Sequence, residues 1–379
     1  MKEKIVIIGA NSFQNPLIIK AKEMGYETHV FAWKSGDIGE KTADYFYPIS
    51  ITEKEKILEA CKKIQPKAVV SIASDLAVIT VNYIAEKLGL ISNEPENSII
   101  YTNKYKMRKA FEIAGVKVPK FNNVGLGENV NLENFQFPVI VKPTDRSGSR
   151  GITKVEKKEE IAHAIAIACE NSFEKRAIIE EFIEGEEYSC ECISYKGKHY
   201  FLTTTKKFTT GAPNFIETGH IQPSGLTTNQ EEKVKSEIFK ALDALKIQNG
   251  PSHSEFKIDK NGNIGIIEIG ARMGGDCIGS DLVKISTGID FLKLTIDVAL
   301  GKKPIVEKVI EPKIAVIKFI FERSDILKLE KIKEKFPDTI YYVSEISNCD
   351  KKIVDSSSRY GYYILQCQDI EELDEIESL

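Results

Sequence analysis

The 379 residues include one tryptophan, four methionines, five histidines and seven cysteines. Only Cys190 and Cys192 lie close together, and a CxC pair on an alternating segment puts both on one strand face. There is no CxxC and no Cys/His group with ligand spacing. That argues against a disulfide framework or structural zinc and for a reducing cytoplasm. No apolar run approaches the roughly 18–20 residues of a membrane span. The opening MKEKIVIIGA reads as a strand, because its apolar run is short and no small-residue cleavage site follows. Lys+Arg number 52 and Asp+Glu 56, a net charge of −4, so no basic excess marks nucleic acid or an anionic membrane as a partner. A dinucleotide fingerprint is missing too. The first turn, GANSFQNP, has one glycine instead of GxGxxG, and the second strand runs into Ala32-Trp33-Lys34 without a ribose-binding acid.

What is present is a strand–helix rhythm over residues 1–100. KIVIIGA, ETHVFAW and KAVVSIA read as buried strands, and 16–24, 54–64 and 76–88 as helices. This alternation predicts a parallel sheet with helices on both faces. A basic helix within 101–120 stops at Gly115. FPVIVKPTDRSGSRGITKV then gives strand, flexible loop and strand, and 177–202 holds two strands around EEFIEGEEY. Residues 301–379 read as a smaller α+β tail, with strands near 313–321 and 360–367. No internal repeat or low-complexity segment interrupts the chain.

The chemistry concentrates in HSEFKIDKNGNIGIIEIGARMGG, residues 253–275. Asn261-Gly262 is the strongest short hairpin signal, because a type I′ turn needs positive φ at both central residues. With that turn Lys260 pairs with Asn263, and counting outward sets Glu255 opposite Glu268. Like charges so placed repel. A hard cation removes the conflict, and Mg²⁺ favours carboxylate oxygen plus substrate phosphate. Lys142 ends an apolar strand before a loop of small residues, whose backbone N–H groups can wrap a polyphosphate while the lysine neutralises it. The context is not a P-loop, since no GKS or GKT is present. In AIIEEFIEGEEY five acids crowd one strand end and turn, which is costly unless they are solvated or paired. Each feature alone also has a plain structural reading: an exposed loop, a solvated lysine, a charged surface hairpin.

In their order, these pieces resemble the ATP-grasp superfamily, from the N-terminal α/β region to about residue 300. The resemblance implies an N-terminal Rossmann-like parallel-sheet domain at 1–100. An ATP-grasp fold of two α+β subdomains follows at 101–300, and a small C-terminal α+β subdomain at 301–379. It implies ATP with Mg²⁺, or Mn²⁺ in its place. TNKYKMR and VIVKP match the two ATP lysines, Lys104 and Lys142. SGSRG resembles the phosphate-covering loop, with Ser147, Gly148, Ser149 and Gly151. IIEEFIEGEE resembles the adenine hinge, with Glu180, Glu181 and Ile183 at the base and Glu187 at the ribose. Glu255 and Glu268 match the metal carboxylates, and Arg272 the arginine beside the transferring phosphoryl group. Many members carry an asparagine two residues after the second metal glutamate, where this chain has Gly270.

GAPNFIETGHIQPSGL and GPSHSE resemble the amino-acid and dipeptide ligase branch. That branch implies Glu217 and His220 near an amino-acid substrate, and His253 is a lesser candidate. The residues after the strand add Gly274, Gly275 and Asp276, expected beside Arg272 at the same substrate. Two adjacent glycines after a strand admit a ligand that a Cβ would exclude. The expected activity is ATP-dependent joining of a small carboxylate to an amine, releasing ADP and phosphate, with room for a homodimer. The rival is a biotin-carboxylase or purine-biosynthesis type that activates bicarbonate or formate. SSSRYGYYILQC near the C-terminus resembles both groups.

Overall fold

Short apolar segments with both faces covered build the first layer. In the computed structural model, which describes residues 2–350 and 352–379, β1 (Lys4–Ile8), β2 (Glu27–Phe31), β3 (Tyr45–Tyr47) and β4 (Ala68–Val70) form a parallel sheet. Its order is β3-β2-β1-β4. Ile5, Val6, Ile7 and Ile8 are all fully buried, as a strand sandwiched between helices requires. Helices Asn15–Glu23, Lys54–Ile64 and Asp75–Lys87 lie within a residue or so of the expected spans. The sequence reading had no strand β3. It is a three-residue, partly exposed edge whose aromatics cover His29 and Phe31.

The second sheet, antiparallel, joins β5 (Phe121–Gly125), β6 (Val139–Pro143), β7 (Thr153–Val155) and β8 (Arg176–Glu181) in the order β5-β8-β6-β7. The third has eight strands, all paired antiparallel. They are β9 (Glu186–Tyr195), β10 (Lys198–Thr209), β11 (Glu217–Gln222), β12 (Gly250–Ile258), β13 (Ile264–Gly270), β14 (Ile314–Ile320), β15 (Ile340–Val343) and β16 (Gly361–Cys367). The order is β13-β12-β9-β10-β11-β14-β16-β15, so the strands beyond residue 301 extend this sheet through β11 and β14. Helix Thr228–Ala244 begins at a Thr227/Gln230 capping box and packs Val234, Ile238 and Leu242 in one core cluster with Phe256, Ile266 and Ile269.

The β12–β13 register holds Glu255 opposite Glu268, but by a different route from the one counted above. The turn is one residue longer. Asp259 N donates to Asn263 O at 3.1 Å, and the Asp259 carboxylate accepts from Asn261 N at 2.8 Å and Asn263 N at 2.9 Å. Gly262 takes φ +76°, whereas Asn261 is not among the positive-φ residues, so the turn is not type I′. Lys260 therefore does not pair with Asn263, and Ile258, Lys257 and Phe256 pair one position off. A β-bulge beyond Glu255 then takes up one residue of β13 and restores the count. The aspartate-capped turn and the bulge cancel, and the two carboxylates keep their pairing.

Candidate active site

The β5–β8 sheet and the β9–β13 half of the large sheet contribute to one cleft of about 1020 Å³, its open mouth included. That is the upper end of the usual size for a small-molecule site. Ile140, Ile152, Phe182, Ile183, Phe215 and Ile267 give it an apolar slot, while Lys104, Lys142, Glu187, Glu217, Glu255, Glu268 and Arg272 line the rest. Ser147, Gly148 and Ser149 close over it, and the Ser149 hydroxyl donates to Phe215 O at 3.1 Å. Gly148 has φ +73° and Ser149 φ +58°, so the loop turns its backbone in a left-handed step. Gly151 lies behind the loop, where a Cβ would come within 2.9 Å of Asn171. Lys257 lies at the cleft with its ammonium 4.5 Å from the Phe182 ring centre, and burial lowers its pKa.

One wall is organised by a buried carboxylate. Glu180, 4% exposed, accepts from Lys142 Nζ at 2.6 Å and Arg108 Nε at 2.8 Å. Burial pushes its pKa up, but Arg108 and then Lys142 overcome that and hold it down at about 2. Arg108, fully buried on helix Lys104–Ile113, also donates to Ile267 O at 2.8 Å and so ties that helix to β13. Glu180 thus fixes the lysine at the cleft, and its carboxylate is committed to those two cations. Glu181 contributes to the wall, but its carboxylate accepts from Gln136 N at 2.8 Å and Lys120 N at 3.4 Å.

The floor carries the paired acids, each matched by a lysine. Lys104 Nζ donates to Glu268 at 2.8 Å and to Arg146 O at 2.6 Å. Lys207 Nζ lies 2.5 Å from Glu255, 3.5 Å from Glu187 and 3.9 Å from Glu217. Burial lowers the Lys207 pKa, but Glu255, Glu187 and Glu217 together raise it above the ordinary value, so it stays charged. Burial raises the Glu255 pKa, and Lys207 and His253 bring it well below the usual carboxylate range. Beside them Arg272 Nε donates to Asp75 at 2.9 Å. Gly270 has a physical reason: a Cβ there would lie 2.9 Å from Asp75 and 3.0 Å from Arg272 Nε, so the Asp75–Arg272 pair fills the space a longer side chain would need.

The substrate group divides. Glu217 and Arg272 line the cleft, and Glu217 accepts from Ser356 Oγ at 2.7 Å. His220, Gly274, Gly275 and Asp276 are not among its lining residues. His220 is 1% exposed and 3.8 Å from Asp276; burial lowers its pKa, and its Nδ1 has no partner. Asp276 accepts from the two terminal Arg359 nitrogens at 2.7 and 2.9 Å, so its charge is already matched. Gly274 N donates to the fully buried Glu191 at 3.1 Å, and a Cβ there would come within 2.8 Å of His253. The glycine serves that close packing. His253 does line the cleft, bonded to Glu191 through Nδ1 and 3.4 Å from Glu255 through Nε2.

Sequence reasoning missed Asp75, Arg108, Lys207, Glu191 and Arg359. For Lys207 a signal existed: alternation along Thr203-Thr204-Thr205-Lys206-Lys207 puts it on one face with Thr203 and Thr205, both buried. The other four act through partners at least 62 positions away.

The donor set fits a hard divalent cation. Glu255 and Glu268 lie on paired positions at the cleft, and among the described residues no group of three or more His, Cys, Asp or Glu forms a closed metal cage. Two carboxylates completed by substrate phosphate oxygen is the usual mode for Mg²⁺.

A family profile described as the ATP-grasp domain matches residues 135–281. Alanine–anticapsin ligase of Bacillus subtilis is 30% identical over 306 residues, which are 71% of this chain and 64% of that protein. The chain thus spans somewhat less than two thirds of that relative. Among solved structures, an L-amino acid ligase from Bacillus licheniformis superposes with a TM-score of 0.82 at 24% identity, over 100% of this chain and 97% of that one. N5-carboxyaminoimidazole synthetase from Staphylococcus aureus, complexed with ADP, gives 0.79 at 16% identity over 100% and 97%. At these identities the two structures establish the fold.

Proposed function

We propose, from the premise that residues 135–281 are an ATP-grasp domain, that this chain is an ATP-dependent carboxylate–amine ligase. It forms an amide or peptide bond through an acylphosphate and releases ADP and phosphate. The observation that carries this is the convergence of Lys104, Lys142, Glu255, Glu268 and Arg272 on one cleft beside an apolar slot. Binding a purine alone requires no such set of charges. ADP in the complex with the Staphylococcus aureus neighbour and the ligase activity named for the Bacillus relatives support the same reading.

The apolar slot takes the base, and Glu187 at its edge takes the ribose. Lys142, aimed by Glu180, and Lys104, aimed by Glu268, neutralise phosphate oxygens, with the 147–149 loop covering them. Glu255 and Glu268 would hold Mg²⁺, or Mn²⁺ in its place, which when bound neutralises phosphate charge. A carboxylate is unreactive toward an amine because its oxygen leaves poorly. Phosphorylation makes a good leaving group, and Arg272 stabilises the charge that develops. Such catalysis is mostly positioning, and water must be kept from the acylphosphate. The Ser149–Phe215 contact supplies a lid for that purpose.

An amino acid is the favoured carboxylate. Glu217 is the acid left at the cleft to meet its ammonium, since Asp276 is matched by Arg359. The same engagement of Asp276 keeps the rival reading open, because bicarbonate and formate need no second acid. Seven unpaired cysteines support a reducing cytoplasm, and the reading leaves room for a homodimer. Phosphate release across an amino-acid panel, bicarbonate and formate tests the assignment. Stimulation by bicarbonate or formate alone, with the panel silent, replaces it with the rival.

A further inference from the structure

Glu217 faces the cleft because of an irregularity in the sheet. Along β11 it stands three positions before His220, an odd step that regular alternation sends to the opposite face. His220 pairs with Lys207 and Gly219 with Phe208, but Glu217 pairs with Thr209, so β11 carries one extra residue at Thr218. The extra residue turns Glu217 onto the face of Lys207, toward the cleft. One oxygen of its carboxylate then lies 3.9 Å from Lys207 Nζ, too far for a hydrogen bond. The other accepts from Ser356 Oγ at 2.7 Å.

Ser356 lies 139 positions on, in the C-terminal region, and neither it nor Arg359 is among the residues lining the cleft. It opens a single 3₁₀ turn, Ser356–Ser358. Asp355 caps the turn, accepting from the N–H groups of Ser357 and Ser358 at 2.9 and 3.1 Å. Arg359 ties the turn to the sheet. Its Nε donates to Ser356 O at 2.7 Å, and a terminal nitrogen donates to Glu217 O at 3.3 Å. Asp276 holds the two terminal nitrogens, and the guanidinium lies 3.6 Å from the ring centre of Phe319 on β14. The backbones of Ser356 and Glu217 are therefore bonded to one planar fork, which sets the range at which hydroxyl meets carboxylate. Without that hydroxyl the nearest cation for Glu217 is Lys207, which already serves Glu255 and Glu187. A full pair with Lys207 would spend the charge of Glu217 inside the protein.

We propose that Ser356, anchored by Arg359, is a positioning residue of the substrate site: it holds the Glu217 carboxylate off Lys207 and directs it at the ammonium of an amino-acid substrate. The inference rests on the ligase reading and adds what makes the site selective. It gives the C-terminal region a part in choosing an α-amino acid over a plain carboxylic acid.

The experiment compares wild type with Ser356→Ala and with Ser356→Thr, which keeps the hydroxyl. Each amino acid of the panel is set against the same acid without its amino group, as alanine against propionate. Calorimetric titration is run with Mg²⁺ and a non-hydrolysable ATP analogue filling the nucleotide cleft. Wild type should bind its best amino acid at least tenfold tighter than the matching plain acid. Ser356→Ala should lose about tenfold of that preference, the usual weight of a hydrogen bond to a charged group, while its Kd for the plain acid stays unchanged. Ser356→Thr should keep the preference. In turnover, Ser356→Ala should raise the KM of the amino acid by the same factor and leave the KM for ATP unchanged.

An undiminished preference in Ser356→Ala overturns the proposal. So does equal weakening of the amino acid and the plain acid, which would reduce Ser356 to shaping the wall. A loss in Ser356→Thr as large as in Ser356→Ala also overturns it, since the hydroxyl would then not matter. Wild type that binds no amino acid, or binds the two acids equally, sinks the proposal whatever the turnover. Absence of ADP release with the expected binding differences sinks only the ligase reading.

Discussion

Replacing Glu180 with glutamine removes the one carboxylate that matches both Arg108 and Lys142. Its pKa falls from an ordinary 4.5 to about 2 in the folded protein. Each unit is worth about 1.4 kcal/mol, so the ionised side chain contributes about 3 kcal/mol to folding. The group is 5% exposed, so solvent screening takes little from that figure. The range is consistent with the roughly 3–5 kcal/mol lost when one partner of a buried ion pair is removed. The depressed pKa fixes the sign: the contribution is fully present above the unfolded pKa and lost as pH falls through the folded one. Urea unfolding followed by circular dichroism should therefore show Glu180→Gln about 3 kcal/mol less stable at pH 7. The gap should narrow below about pH 4.5 and vanish near pH 2. A gap under 1 kcal/mol at pH 7, or one that does not narrow in acid, would refute the claim that this carboxylate anchors the wall.

Arg272→Ala should lower donor-stimulated ADP release about 10²–10³-fold and leave ATP affinity, measured by titration, nearly intact; an equal loss of both would move Arg272 into nucleotide binding. Gly270→Ala should displace the Asp75–Arg272 pair, since its Cβ would lie 2.9 Å from Asp75, and cut ligation at least tenfold; a fully active variant would show the pair to be unimportant. Glu255→Gln and Glu268→Gln should each raise the Mg²⁺ concentration for half-maximal rate, read from a metal titration, and an unchanged midpoint would remove that residue from the metal site. Lys207→Met leaves Glu255, Glu187 and Glu217 without their shared cation. It should cost about 3–5 kcal/mol in urea unfolding, and a neutral result would mean that those acids are solvated.

The parallel sheet was legible because its signals are local: apolar runs, glycine stops and a regular strand–helix rhythm. The paired glutamates were legible in position but not in route. A capping aspartate lengthened the turn and a bulge absorbed the residue, and neither device has a strong sequence mark. Residues that act through distant partners were not legible. Asp75 reads as an ordinary first-turn acid until Arg272, 197 positions on, meets it. Gly274 reads as room for a ligand until the buried Glu191 is seen occupying that role. Composition locates charges, but only the fold says which of them are already spent on each other.

The central claim is tested most directly by chromatography of the nucleotide products after turnover with single amino acids, pairs of amino acids, bicarbonate and formate, each with Mg²⁺ and ATP. The account predicts ADP with inorganic phosphate, stimulated by at least one free amino acid. AMP as the main product, or stimulation by bicarbonate or formate with every amino acid inert, would contradict it.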